Sequence, residues 1–108
     1  MPQIKIYGLK NNLDKIKIEL STIIHNCVIK ILCFPKEKKY HRFISFNEDD
    51  MIFPDTKSDS YIIIEILMIA GREVETKKAL IKELFEQIHK GLDISKIDIE
   101  MYFRKSCF

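Results

Sequence analysis

Apolar positions change their period along this chain, and the change is clearest between Tyr61 and Leu92. The run YIIIEILMI, Tyr61–Ile69, is apolar throughout except at Glu65. A short run that is apolar on both alternating faces and rich in isoleucine predicts a strand covered on both sides. After Ala70-Gly71-Arg72 the spacing becomes helical: Val74, Leu80, Ile81, Leu84, Phe85, Ile88 and Leu92 mark one broad stripe. Glu73 and Glu75 put negative charge in the first turn, and Gly91 lies near the end. Ile97–Phe103, IDIEMYF, then predicts a further strand.

The first half reads in the same order. Ile4-Lys5-Ile6-Tyr7 alternates and predicts a strand over Pro2–Leu9, with proline tolerated at its first residue. Asn11-Asn12 reads as the cap of a helix from Leu13 to about Leu32, with Asp14 in its first turn. Its buried stripe is Leu13, Ile16, Leu20, Ile23, Ile24, Cys27, Val28 and Ile31, and Phe34-Pro35 stops it. Lys36–Lys39 is a solvated basic loop, and Arg42–Phe46 is a short strand. Asn47–Ser60 is polar apart from Met51-Ile52-Phe53-Pro54, which tucks under the loop or meets another subunit.

The halves repeat one another, at about residues 2–46 and 61–103 of a single domain spanning 1–108. Setting Asn12 against Arg72 brings Lys17 onto Lys77, Leu20 onto Leu80, Ile24 onto Leu84 and Val28 onto Ile88. The predicted fold is α+β: two βαβ units forming a four-stranded mixed sheet with both helices on one face. The central strand carries Ile62, Ile64, Ile66 and Met68 on one side and Ile63, Leu67 and Ile69 around Glu65 on the other. The sheet face opposite the helices stays open in a monomer. Exposing it costs about 1.5–3 kcal/mol for each large side chain left unburied, so several copies are expected to pack these faces together.

Composition narrows the partners. Eighteen Lys and Arg against sixteen Asp and Glu give a formal charge of +2, which does not point to nucleic acid or an anionic membrane. No apolar run is long enough to span a bilayer as a helix, and no leader pattern is present, so the expected compartment is the cytoplasm. The three cysteines have no ligand spacing, and Cys27 continues a helical stripe as a buried thiol. Acids at 48, 49, 50, 55 and 59 do not follow the alternation of a calcium loop. No metal or other cofactor is expected. His25 and His89 follow helix spacing, facing solvent or capping local packing, and no histidine forms a triad with Ser45 or Cys107.

The stretch GREVETKKALIKELFEQI, Gly71–Ile88, resembles the Gly-Arg-Ser/Thr-x-Glu-x-Lys-x-x-Leu helix start of the tautomerase superfamily, whose members include 4-oxalocrotonate tautomerase, macrophage migration inhibitory factor and malonate semialdehyde decarboxylase. Met1-Pro2 ahead of a strand and the Arg42-Phe43 strand after the first helix extend the resemblance over nearly the whole chain, closest to the fused two-βαβ members. The resemblance implies a homotrimer with sites near subunit boundaries, an amino-terminal proline at each, and a small carboxylate substrate. It implies Pro2 as general base and Arg42 and Arg72 as carboxylate-binding residues. Asn12 departs from the family arginine in the proline-bearing half.

Phe46, Tyr102 and Phe103 are candidates for an aromatic pocket wall. Lysines occupy the loop after the first helix, where decarboxylase-like members carry an acid, which favours keto–enol tautomerisation over hydration or decarboxylation. Two other readings stay open: a catalytically inactive regulatory or structural homo-oligomer on this scaffold, and a ferredoxin-like ligand-binding module with the same element order.

Overall fold

The first strand turns into the first helix without a linker. In the computed structural model, which describes residues 2–69 and 74–106, β1 (Gln3–Leu9) is followed at once by α1 (Lys10–Leu32). The helix therefore starts three residues before the expected Leu13. Asn11 and Asn12 lie inside its first turn, and the cap is extended Leu9, which makes no side-chain cap hydrogen bond. Gly8 explains the abrupt turn: a Cβ there would come 3.2 Å from Leu13 Cγ, so its absence lets Leu13 fold back over the strand. Asp14 falls beyond the first turn and pairs with Lys10 at 3.1 Å and Lys17 at 3.6 Å. At the other end Cys33 takes a left-handed conformation, φ 57°, and its N–H closes the helix on the Ile29 carbonyl at 3.0 Å.

The remaining elements are β2 (His41–Phe46), β3 (Ile62–Ile69), α2 (Val74–Leu92) and β4 (Ile99–Ser106). The sheet order is β2-β1-β3-β4. β1 pairs parallel with β2, β3 pairs parallel with β4, and β1 and β3 meet antiparallel in the middle. Strand–helix–strand thus occurs twice, with Leu9 and Ile69 ending the two central strands and Leu32 and Leu92 ending the two helices. This is the expected mixed sheet.

One face of that sheet makes the core. Ile4 and Ile6 of β1 and Ile62, Ile64, Ile66 and Met68 of β3 are buried against Leu13, Leu20, Ile24 and Val28 of α1 and Leu80, Leu84 and Ile88 of α2. Each such side chain contributes about 1.5–3 kcal/mol. Cys27 is buried among them, and burial pushes its thiol up to about 11, so it stays protonated and unreactive.

β4 begins two residues later than its pattern predicts. Lys96–Asp98 forms a short 3-10 turn instead. Asp98 is buried there, accepting from the Ser58 backbone N–H at 2.8 Å and the Ser58 hydroxyl at 2.6 Å. This long-range contact pulls the residue out of the strand register. In the 47–60 loop, Phe53 tucks against the Tyr61 ring at 5.0 Å, while Ile52 is 96% exposed.

His25 does not face solvent. It is buried, and its Nε2 donates to the Lys36 carbonyl at 2.5 Å, tying the basic loop to α1. His89 caps locally, donating from Nδ1 to the Ile94 carbonyl at 2.8 Å. Among the described residues, no helix is long and apolar enough to cross a membrane.

Candidate active site

Strand alternation divides the chemistry between two faces. The face without helices carries Arg42, Ile44 and Phe46 from β2; Gln3, Lys5 and Tyr7 from β1; Ile63, Glu65 and Leu67 from β3; and Glu100, Tyr102 and Arg104 from β4. Glu65 is its polar centre. Its carboxylate lies 2.5 Å from Arg104 Nε and 3.8 Å from Lys5 Nζ, and it accepts the Tyr7 hydroxyl at 3.1 Å. Desolvation, then the hydrogen bond to Glu65, raises the Tyr7 hydroxyl above its ordinary pKa.

The parallel β1–β2 and antiparallel β1–β3 pairings bring three chain ends together. The start of β1, the start of β2 and the end of β3 lie at one end of the sheet. Pro2 is there, buried, one residue ahead of β1. Next to it the Ile4 N–H bonds the Tyr40 carbonyl at 3.0 Å. Arg42 stands opposite Lys5 in the register, but its guanidinium reaches back toward the strand start, where Nη2 donates to Gln3 Oε1 at 3.1 Å. Pro2 and Arg42 therefore share one sheet end. Arg72 lies outside the described residues.

The three aromatic candidates do not form one wall within a chain. Tyr102 is in the row Arg42–Lys5–Glu65–Tyr102 on the open face, half exposed, with its hydroxyl on Glu100 at 3.1 Å. Phe103, the next residue, points to the other face in the row His41–Ile4–Ile66–Phe103 and packs against the core. Phe46 pairs with Leu9 at the far end of β1, which puts it about 23 Å from Pro2 at the usual strand rise. It lines a different cavity, of about 400 Å³, together with Leu9, Lys10, Asn12, Asp59 and Ser60. Adjacent residues in a strand cannot share a face, and a parallel register keeps the end of β2 far from the start of β1. Gln3, which no sequence motif marked, is the residue that the register brings to Arg42.

Among the described residues no group of three or more His, Cys, Asp or Glu side chains could hold a metal ion. At this sheet end Arg42 and Gln3 instead set a cation beside an amide, with buried Pro2 next to Gln3 in the chain. A guanidinium with N–H groups to spare is suited to an anionic organic ligand.

Residues 38–106, well over half the chain, match the family model described as tautomerase enzyme. The chain belongs to this family. Solved structures agree on the tautomerase fold. A malonate semialdehyde decarboxylase inhibited by 3-bromopropiolate superposes with a TM-score of 0.86 at 18% identity, over 97% of this chain and 83% of that one. Native fused 4-OT gives a TM-score of 0.83 at 20% identity, over 96% of this chain and 86% of its own. A wild-type fused 4-OT solved as an asymmetric trimer gives 0.82 at 21% identity, over 96% and 85%. At these identities the likeness is one of fold, and the chemistry of this chain rests on its own residues.

Proposed function

We propose that this tautomerase is a homotrimeric keto–enol isomerase of small unsaturated keto and enol acids, with the amine of Pro2 as general base. The observation that carries the reading is that Pro2 is buried at the strand start where Arg42 is held by Gln3. With Met1 removed, Pro2 carries a secondary amine. Burial and a nearby guanidinium both disfavour its charged form, so it is neutral at lower pH than an exposed amine. A neutral amine of this kind takes a proton from the carbon next to a carbonyl and returns it farther along the conjugated system. Arg42 binds the substrate carboxylate and offsets the enolate charge as it develops. Arg72, at the family's Gly-Arg helix start, is proposed for the same work, and Tyr102 and Phe46 for pocket walls completed across subunits, while Phe103 serves the core.

Trimerisation is supported by the open sheet face, where Ile44, Ile63 and Leu67 flank Glu65, and by the trimeric fused 4-OT of like fold. Lysine-rich Lys36–Lys39 offers little acid to position water, which favours tautomerisation over hydration.

The test is turnover of a 2-hydroxydienoate and of phenylenolpyruvate by protein lacking Met1, followed against pH. The rising limb of kcat/KM is expected to lie below the ordinary amino-terminal value of about 8. 3-Bromopropiolate is expected to label Pro2 with proportional loss of activity. Activity that survives full labelling of Pro2 contradicts the base, and failure to turn over a wide range of enol acids favours a non-catalytic homo-oligomer.

A further inference from the structure

We infer that Gln3 is a positioning residue that aims Arg42 at the Pro2 site while leaving its charge intact; the inference rests on the reading of Pro2 as base. Lys5 and Arg42 lie directly opposite each other on β1 and β2, an arrangement in which like charges repel. The structure relieves it by drawing the two side chains apart. Lys5 turns toward Glu65 at 3.8 Å, and Arg42 turns the other way, to Gln3 Oε1 at 3.1 Å. That hydrogen bond is the one the guanidinium makes among the described residues, so its other N–H groups are free to meet a carboxylate.

The choice of side chain matters. An amide accepts a hydrogen bond without carrying charge. A carboxylate at position 3 would hold Arg42 as firmly but neutralise it and place a negative charge beside the Pro2 nitrogen. An apolar residue would leave Arg42 to turn away. The nearby acid, Glu65, is already engaged by Lys5, Arg104 and Tyr7. Among the described residues, the other cations bordering this sheet end are Lys39, ahead of β2, and Arg104 and Lys105, at the end of β4. Arg104 is paired with Glu65. His41, neutral near pH 7, has its ring on the helix-facing side and bonded to Ser21. Arg42 is thus the fixed charge that Gln3 directs.

Two readouts test this on Met1-free trimer. The first is inactivation by 3-bromopropiolate, a carboxylate-bearing electrophile. Gln3→Ala should raise its KI about tenfold while changing the maximal inactivation rate less than threefold, and should add nothing further in an Arg42→Ala background. The second needs no ligand: NMR titration of isotopically labelled Pro2. Gln3→Glu should raise the amine midpoint by about one pH unit, and Gln3→Ala should change it less. An unchanged KI in Gln3→Ala, an additive Gln3→Ala/Arg42→Ala pair, or the same Pro2 midpoint in Gln3→Glu each overturns the inference. A protein that does not turn over enol acids yet shows the Gln3→Glu midpoint rise refutes the catalytic reading and keeps the positioning one.

Discussion

Lys5 and Glu65 face each other across the two central strands, 3.8 Å apart, at the pair on which the internal repeat turns. Matching Leu9 to Ile69 matches Lys5 to Glu65, so each residue lies opposite its own counterpart. A strict repeat would place like charges here, which repel when directly opposed. Opposite charges resolve the conflict, and Arg104 and Tyr7 complete the shell around Glu65. Glu65→Ala should therefore destabilise the protein by about 1–3 kcal/mol, since it strips a partly buried carboxylate from three donors. Urea unfolding at fixed protein concentration measures this, and a loss under about 0.5 kcal/mol would mean the cluster is merely a surface pairing.

Neighbouring isoleucines on β3 should fail differently. Ile64 is fully buried on the helix face, whereas Ile63 is on the open face. Ile64→Asp should abolish folding, because it buries an unpaired charge in the core. Ile63→Asp should keep the far-ultraviolet circular dichroism of a folded chain and shift light scattering from three chain masses toward one. A trimer that tolerates Ile63→Asp would place the subunit interface elsewhere.

Asp98 fastens the 47–60 loop to the start of β4. Asp98→Ala leaves Ser58 without its acceptor and should cost about 1–3 kcal/mol, with faster amide exchange at Ser58. Asp98→Asn retains an acceptor and should cost less. Equal losses in the two variants would show that the charge, rather than the acceptor geometry, holds the loop.

His41 should make the protein acid-sensitive. Its Nδ1 lies 2.7 Å from Ser21 Oγ, and burial, with Lys39 and His25 adding to it, lowers its pKa from 6.5 to about 4. Above pH 6.5 the ring is neutral in both the folded and unfolded chain and contributes no pH dependence. Between pH 6.5 and about 4 the unfolded chain binds the proton first, so stability falls as pH falls and levels off below that window. Urea midpoints at pH 7.5 and 5 should show the decline in the wild type and a smaller one in His41→Phe. The same decline in both proteins would move the effect to other groups.

Periodicity made much of this fold legible. The isoleucine run of β3 and the stripe from Val74 to Leu92 are local patterns, and the structure keeps them nearly residue for residue. What the pattern missed depends on partners far along the chain. Asn11-Asn12 has the composition of a cap, but Leu13 packing over Gly8 starts the helix earlier. Ile97-Asp98 alternates like a strand, but Ser58 holds Asp98 in a turn. The site is less legible still. Proline at position 2 and the Gly-Arg helix start are visible as residues, whereas the meeting of Gln3 with Arg42 exists only once the parallel register is set. The separation of Phe46 from Phe103 follows from the same register and from strand alternation.

The central claim is that the free amine of Pro2 does the chemistry, and one comparison tests it most directly. Two preparations of equal trimer content, one beginning at Pro2 and one retaining Met1, are assayed on the same enol substrate. Retained Met1 turns the Pro2 nitrogen into a tertiary amide without a basic lone pair. The account predicts activity in the processed protein and a loss of at least about a hundredfold, the usual contribution of a general base, when Met1 is present. Equal activity in the two preparations would contradict it.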